Sequence, residues 1–212
     1  MTPEKHTVDR REQILASAAR VFRTSGYAEA TIDAVAAEAG IAKGSVYNYF
    51  KSKQDLFVDV FVSSFSYDEE EVVARLAKLP SALAKVDMVF DEWFKRFSKY
   101  AEEGALVLEF WLVAARQGEG VMTEAFRNLY MRWRQKLSTI IAEGVASGEV
   151  RANVYPQTAA AVIMATLDGL ILQSILGVGV IVDEKLHRRL KRGFRAALTA
   201  EPDKEEQVEV KE

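Results

Sequence analysis

Apolar residues recur at helical spacing along almost the whole chain. Ile14, Ala18, Val21 and Phe22 share one face of a first helix that starts near Asp9, with Glu12 three residues on as in a capping box. Gly26 is placed to end it, because glycine tolerates the left-handed conformation of a helix stop. Thr31 is a good N-cap for a short second helix that turns Ile32, Val35, Ala36 and Ala39 inward and stops at Gly40. A tight turn through Ile41 leads to a third short helix over about Ala42 to Tyr49. Ser52 and Asp55 then open a long fourth helix with Leu56, Phe57, Val60, Phe61 and Phe65 on its apolar stripe, expected to end before Pro80.

Five more helices follow by the same signs. They cover about Ser81 to Glu102, Ala105 to Gln117, Val121 to Ser147, Pro156 to Leu176 and Glu184 to Leu198. The second of these is apolar nearly all round and should be central. Pro156 occupies the favoured first-turn position of its helix. Strand-like alternation is absent, and only four prolines interrupt 212 residues. The expected fold is all-α with about nine helices: a three-helix N-terminal domain over residues 1–53 and a larger helical domain over 54–200. Residues 201–212, with two basic and six acidic residues, read as a disordered acidic tail.

Charge distribution says more than net charge. The total of −3 does not suggest a polyanion binder, yet residues 1–53 hold eight basic and six acidic residues. There are no cysteines, which removes disulfides, thiolate metal sites and a cysteine nucleophile, and fits a cytoplasmic protein. The polar start from Met1 to Arg11 is no secretory signal. From Ala159 to Val182 only Asp168 is charged, so this stretch is long enough for a membrane span. An acid near its centre would cost roughly 2.5–3.5 kcal/mol, which favours a helix buried in a bundle or a dimer interface and no membrane partner.

Three short helices within about 45 residues make the fold of a DNA-reading helix-turn-helix, with the third helix in the major groove. Val46 and Phe50, four apart, face the small core. Lys43, Ser45, Tyr47, Asn48 and Tyr49 are left around the outside, an arrangement that asks for a partner. Gly44 weakens the helix by about 1 kcal/mol relative to alanine, which makes sense where a DNA backbone comes close. Lys51 and Lys53 at the start of the fourth helix oppose its macrodipole, as a nearby phosphate would explain. The run from Gly40 through Ala42, Lys43, Gly44, Ser45, Tyr47, Asn48, Tyr49 and Lys53 to Leu56 resembles the signature of TetR-family transcriptional repressors, as do Ile14-Leu15, Ala18, Phe22, Gly26-Tyr27 and Thr31-Ile32. The resemblance implies an all-α homodimer with a divergent ligand-binding domain. It also implies phosphate contacts from Thr31, Tyr49 and Lys53, and groove contacts from Lys43, Gly44, Ser45 and Tyr47.

The C-terminal half offers a ligand set and a dimer set. Phe90, Trp93, Phe97, Trp111, Phe126, Met164 and Asp168 are candidates for a pocket between bundle helices, with ordinary core packing the alternative for most aromatics. Glu109 beside tryptophans would suit a cationic, hydrophobic effector; a salt bridge or cap is the plainer use. The last two helices read as a dimer interface, with small Ala161 and Ala165, apolar Leu167 and Ile171, and the stripe Leu186, Leu190 and Phe194. The basic face of the last helix reads as solvated and paired with acids. Leu108 to Trp111, Tyr130 to Arg134, Gly148 to Arg151 and Leu167 to Leu170 are similar to the betaine-regulator-like branch of the same family. No nucleophile elbow, phosphate loop or metal-spaced cluster is present, and the two histidines, His6 and His187, lie near the termini, so no catalysis, cofactor or metal is expected. The expected function is a ligand-responsive repressor: a homodimer on pseudo-palindromic double-stranded operator DNA, released when a small hydrophobic, optionally cationic, effector binds.

Overall fold

The helix signals in the chain translate into ten helices among the described residues of the computed structural model, which are 3–65, 69–118, 120–178 and 182–199. They are α1 (Pro3–Glu29), α2 (Ile32–Glu38), α3 (Lys43–Tyr47), α4 (Lys53–Phe65), α5 (Glu69–Leu76), α6 (Ala82–Glu102), α7 (Gly104–Gln117), α8 (Val121–Ser147), α9 (Pro156–Ile175) and α10 (Glu184–Thr199). No strand occurs among those residues. The acidic tail, 201–212, lies outside them.

Caps account for several boundaries. Thr31 Oγ1 accepts the Ala34 amide at 3.1 Å and starts α2. Gly40 stops it at φ 65°, with the Ile41 amide reaching back to the Ala36 carbonyl at 3.0 Å. Ser52 Oγ takes the Asp55 amide at the start of α4, and Asp183 Oδ1 takes the Leu186 amide at the start of α10. One boundary differs from expectation. α1 begins at Pro3, ahead of Asp9, with proline in its first turn. The expected long fourth helix is covered by α4 and α5, and residues 66–68 between them lie outside the described residues.

The chain forms two compact units that interleave in sequence. The first holds residues 1–69 and 103–129; the second holds 70–102 and 130–212. Residues 103–129, expected within the larger helical domain, cluster with the first unit. In the first unit, α1, α2, α3 and α4 pack with α7 and the first residues of α8. Ile14, Ala18, Phe22, Val35, Val46, Phe50, Phe57 and Phe61 share one core with Leu106, Phe110, Val113 and Met122. Aromatic edges knit it: Phe22 meets Phe57 at 4.8 Å, Phe57 meets Phe110 at 4.9 Å, and Phe61 stacks on Phe126 at 4.2 Å. Offset and edge-on pairs of this kind add about 0.5–1.5 kcal/mol each beyond simple burial.

In the second unit, α6 packs against α9 and α10. Val86, Phe90, Leu137, Ile141, Ala160, Ile163, Leu167 and Leu198 form its core. The tightest approach is at Gly144, where a Cβ would come within 2.6 Å of Val150 Cγ2 and 2.8 Å of Ala82 Cβ. The basic face of α10 is paired with acids on α6, as expected: Lys191 with Asp91 at 2.7 Å and Arg195 with Asp87 at 2.7 Å.

Candidate nucleic-acid interface and effector region

The recognition unit is built from one short, half-polar helix. α3 is anchored from below by Val46 and Phe50, both fully buried, and Arg11 lies over the Phe50 ring at 5.4 Å. Gln13 on α1 donates to the Ala39 carbonyl at 2.9 Å and so fixes the turn between α2 and α3. With those residues pinned, Ala42, Lys43, Gly44, Tyr47 and Asn48 are exposed, while Ser45 and Tyr49 are half-buried. Tyr47 keeps 47% of its surface in solvent. A Cβ on Gly44 would meet nothing within 4 Å, so nothing in the protein's own packing requires glycine there. Lys43 Nζ pairs with Asp33 Oδ2 on α2 at 2.8 Å; the hydrogen bond and charge of Asp33 hold the lysine above its usual pKa. Both partners are exposed, so salt screens this pair.

Lys53 has a role that residue type and spacing do not show. Its ammonium donates to the carbonyls of Tyr27, Ala28 and Ala30 at 2.7, 3.0 and 3.0 Å. An ammonium has three N–H groups, and all three are engaged. The phosphate contact implied by family resemblance would therefore have to displace bonds that shape the turn before Thr31. Glu109, a candidate for cationic effectors, instead accepts the Tyr27 amide at 2.7 Å. No spacing rule could pair residues 82 positions apart.

The ligand candidates divide between the units. Glu109, Trp111 and Phe126 belong to the first; Phe90, Trp93, Phe97, Met164 and Asp168 belong to the second. Phe90 is fully buried and packs on Phe194 at 5.2 Å; Trp93 packs on Phe97 at 5.2 Å. The indole N–H of Trp93 is buried with no acceptor among the described residues. Burial pushes the Asp168 carboxyl up to about 6, against a hydrogen bond from Tyr130 that opposes the rise. Among the dimer candidates, Leu167 and Ile171 are buried within the chain, with Ala160 and Ile163 on the same stripe of α9. The period puts them inward, so they are core residues. The outward stripe is Val162, Ala165, Gln173 and Leu176. α9 is long and apolar enough to cross a membrane, with mean hydropathy 1.6, yet only 22% of that window is buried. On α10, Leu186, Leu190 and Phe194 line a shallow apolar groove with Gly193 and Ala197.

A Thr31-capped α2 followed by the polar, tyrosine-bearing α3 is the arrangement of the DNA-binding helix-turn-helix class. Residues 14–60 match the model for bacterial regulatory proteins of the tetR family, and residues 82–199 match that for the C-terminal domain of BetI-type transcriptional repressors. The chain belongs to the TetR family, with a BetI-type C-terminal domain.

Relatives agree. The fatty acid metabolism regulator protein of Bacillus subtilis is 26% identical over 156 residues, 74% of this chain and 78% of the relative. The transcriptional repressor DhaR of a Mycobacterium species is 25% identical over 171 residues, 77% and 81% of the two chains. Solved structures share the fold. FadR from Bacillus subtilis, in complex with stearoyl-CoA, superposes with a TM-score of 0.71 at 22% identity, covering 91% of this chain and 99% of FadR. A regulator from Saccharomonospora viridis in complex with choline gives 0.71 at 21% identity, covering 88% and 95%.

Proposed function

We propose that two copies of this chain pair through α9 and α10 and set their α3 helices in successive major grooves of a pseudo-palindromic operator, about 34–36 Å apart. Effector binding in the second unit then releases the DNA. The observation that carries the DNA reading is the α3 surface: exposed Lys43, Tyr47 and Asn48 around a Gly44 that internal packing does not require. Lys43, Gly44, Ser45, Tyr47 and Asn48 meet the groove, and Thr31, Ala42 and Tyr49 meet the backbone. Repression takes place in the cytoplasm and needs no cofactor or metal. Tyr47→Ala is the test. The variant should keep its fold and dimer but lose operator binding by about 10- to 100-fold in a gel-shift titration. An unchanged titration would remove the assignment.

The effector reading rests on Asp168, whose carboxyl burial pushes up to about 6, and on Phe90, Trp93, Phe97 and Met164 in the same unit. Among the described residues, no lysine or arginine bridges Asp168, and Tyr130 donates to it. A half-buried carboxylate in a unit that also holds these aromatics suits an apolar molecule with a cationic head. The choline complex of the Saccharomonospora viridis regulator supports this class. A second reading, a long-chain acyl thioester, is favoured by similarity to the Bacillus subtilis fatty acid regulator. Isothermal titration with choline, an alkyl trimethylammonium and stearoyl-CoA, with and without operator, separates the two readings. Operator and effector should weaken each other by one common factor.

A further inference from the structure

Two charged side chains hold the same short turn. Gly26 interrupts α1 at φ 71°, ψ 166°. The residues that follow, Tyr27 to Ala30, deliver the chain to Thr31, the cap of α2. Glu109 Oε1 takes the amide of Tyr27 at 2.7 Å. The Lys53 ammonium takes the carbonyls of Tyr27, Ala28 and Ala30. Glu109 comes from α7 and Lys53 from the first position of α4. Neither helix is part of the helix-turn-helix itself, yet both determine where it begins.

The acid is out of character for its helix. The inward residues of α7 are Leu106, Val107, Phe110 and Val113, all apolar and buried. Glu109 lies half-buried among them, a cost that its amide partner explains. Gly26 lies beside it: a Cβ there would sit in ordinary contact, 3.4 Å from Oε1, and glycine is favoured by the positive φ of 71°. Phe110, next in sequence, touches Phe57 and Phe61 of α4, so α7 and α4 are themselves locked together.

We infer that Glu109 is a positioning residue for operator binding: through the Tyr27 amide it ties the placement of α7 to the N-cap of α2, while Lys53 ties α4 to the same turn. The carboxylate works inside the protein and takes no part in recognising an effector's charge. A shift of α7 or α4 moves Thr31 and the recognition helix that follows it. The clasp itself stands without DNA; only its consequence for operator affinity rests on the DNA-binding reading.

Amide hydrogen exchange on the full-length protein, paired with operator titrations, tests this. In the native protein the Tyr27 amide should be protected like the interior amides of α7. In Glu109→Met, Tyr27 should exchange about 10-fold faster and operator affinity should fall about 5- to 20-fold with an unchanged salt slope, since no phosphate contact is lost. Glu109→Gln should restore both to within about 3-fold, because its amide oxygen accepts the same bond. If the methionine variant does not fold, Glu109→Asp, shorter by one methylene, replaces it with the same readouts. A native Tyr27 amide exchanging like an open turn overturns the clasp. So does a folded variant with full operator affinity, or a glutamine variant that loses effector response while Tyr27 stays protected. Failure of the native protein to bind any operator would instead overturn the DNA reading, leaving the exchange measurement to decide the clasp.

Discussion

The Lys53 ammonium lies 2.7 Å from the Tyr27 carbonyl oxygen and 4.7 Å from the centre of the Tyr27 ring. One cation thus serves the backbone and the aromatic face of the same residue. Replacing it by methionine leaves three carbonyls short of a donor. Lys53→Met should destabilise the folded chain by about 1–3 kcal/mol in urea titration. The salt slope of operator binding should change by less than one unit if the ammonium stays on the turn. A loss of a full unit would mean that Lys53 leaves the turn for a phosphate when DNA binds.

Asp168 should make stability depend on pH. Its folded pKa of about 6 lies above the ordinary value of 3.8, so the native state holds a proton that the unfolded state gives up. With more protons bound in the native state, stability falls as pH rises through the window from about 4 to 6 and stays lower above it. The size is on the order of 2–3 kcal/mol. Asp168→Asn should flatten this window and raise stability at pH 7, as read by thermal melts across pH. It should also weaken binding of a cationic effector. A variant with an unchanged pH profile would show that the carboxyl ionises without hindrance.

Gly144→Ala should be among the more damaging single methyl additions. The new Cβ would enter the space of Val150 and Ala82, so side chains or helix spacing must shift. A cost of about 1–3 kcal/mol is expected from overpacking. Gly44→Ala, which meets nothing within 4 Å, should leave stability level or slightly raised while disturbing DNA binding. Chemical denaturation of the two variants side by side checks the contrast.

Val162 is 52% exposed on the outward stripe of α9, alongside Ala165. In the proposed dimer a charge introduced there would be buried by a second copy. Val162→Glu should give a folded monomer by light scattering, with operator affinity lost along with the dimer. A dimer of native strength would move the interface elsewhere.

Much of the fold is legible in the residues themselves. Thr31 as a cap, Gly40 as a stop, Val46 and Phe50 as anchors, Pro156 at a first turn and the close of α8 before Gly148 all follow from local chemistry. The spacing of α9 shows an apolar stripe, but spacing does not say whether a helix of the same chain or a second copy covers it. Leu167 and Ile171 lie inside the chain, beside Ala160 and Ile163. Glu109, Lys53 and Gln13 act on backbone atoms far along the chain, and backbone partners leave no trace in residue type. Periodicity says that a face is covered, not by which helix. For that reason α7, expected at the centre of a C-terminal domain, instead closes the core beneath the recognition unit.

That last arrangement bears on how the protein is made. Leu106, Phe110, Val113 and Met122 supply a wall of the core that supports α1 to α4. A ribosome that has released only the first 69 residues has delivered every side chain proposed to face DNA but not that wall. The nascent reader must wait for the chain as far as Leu129 before its own hydrophobic surface is covered. A truncated product ending at Glu69 would therefore carry those residues without the side chains that complete the core beneath them.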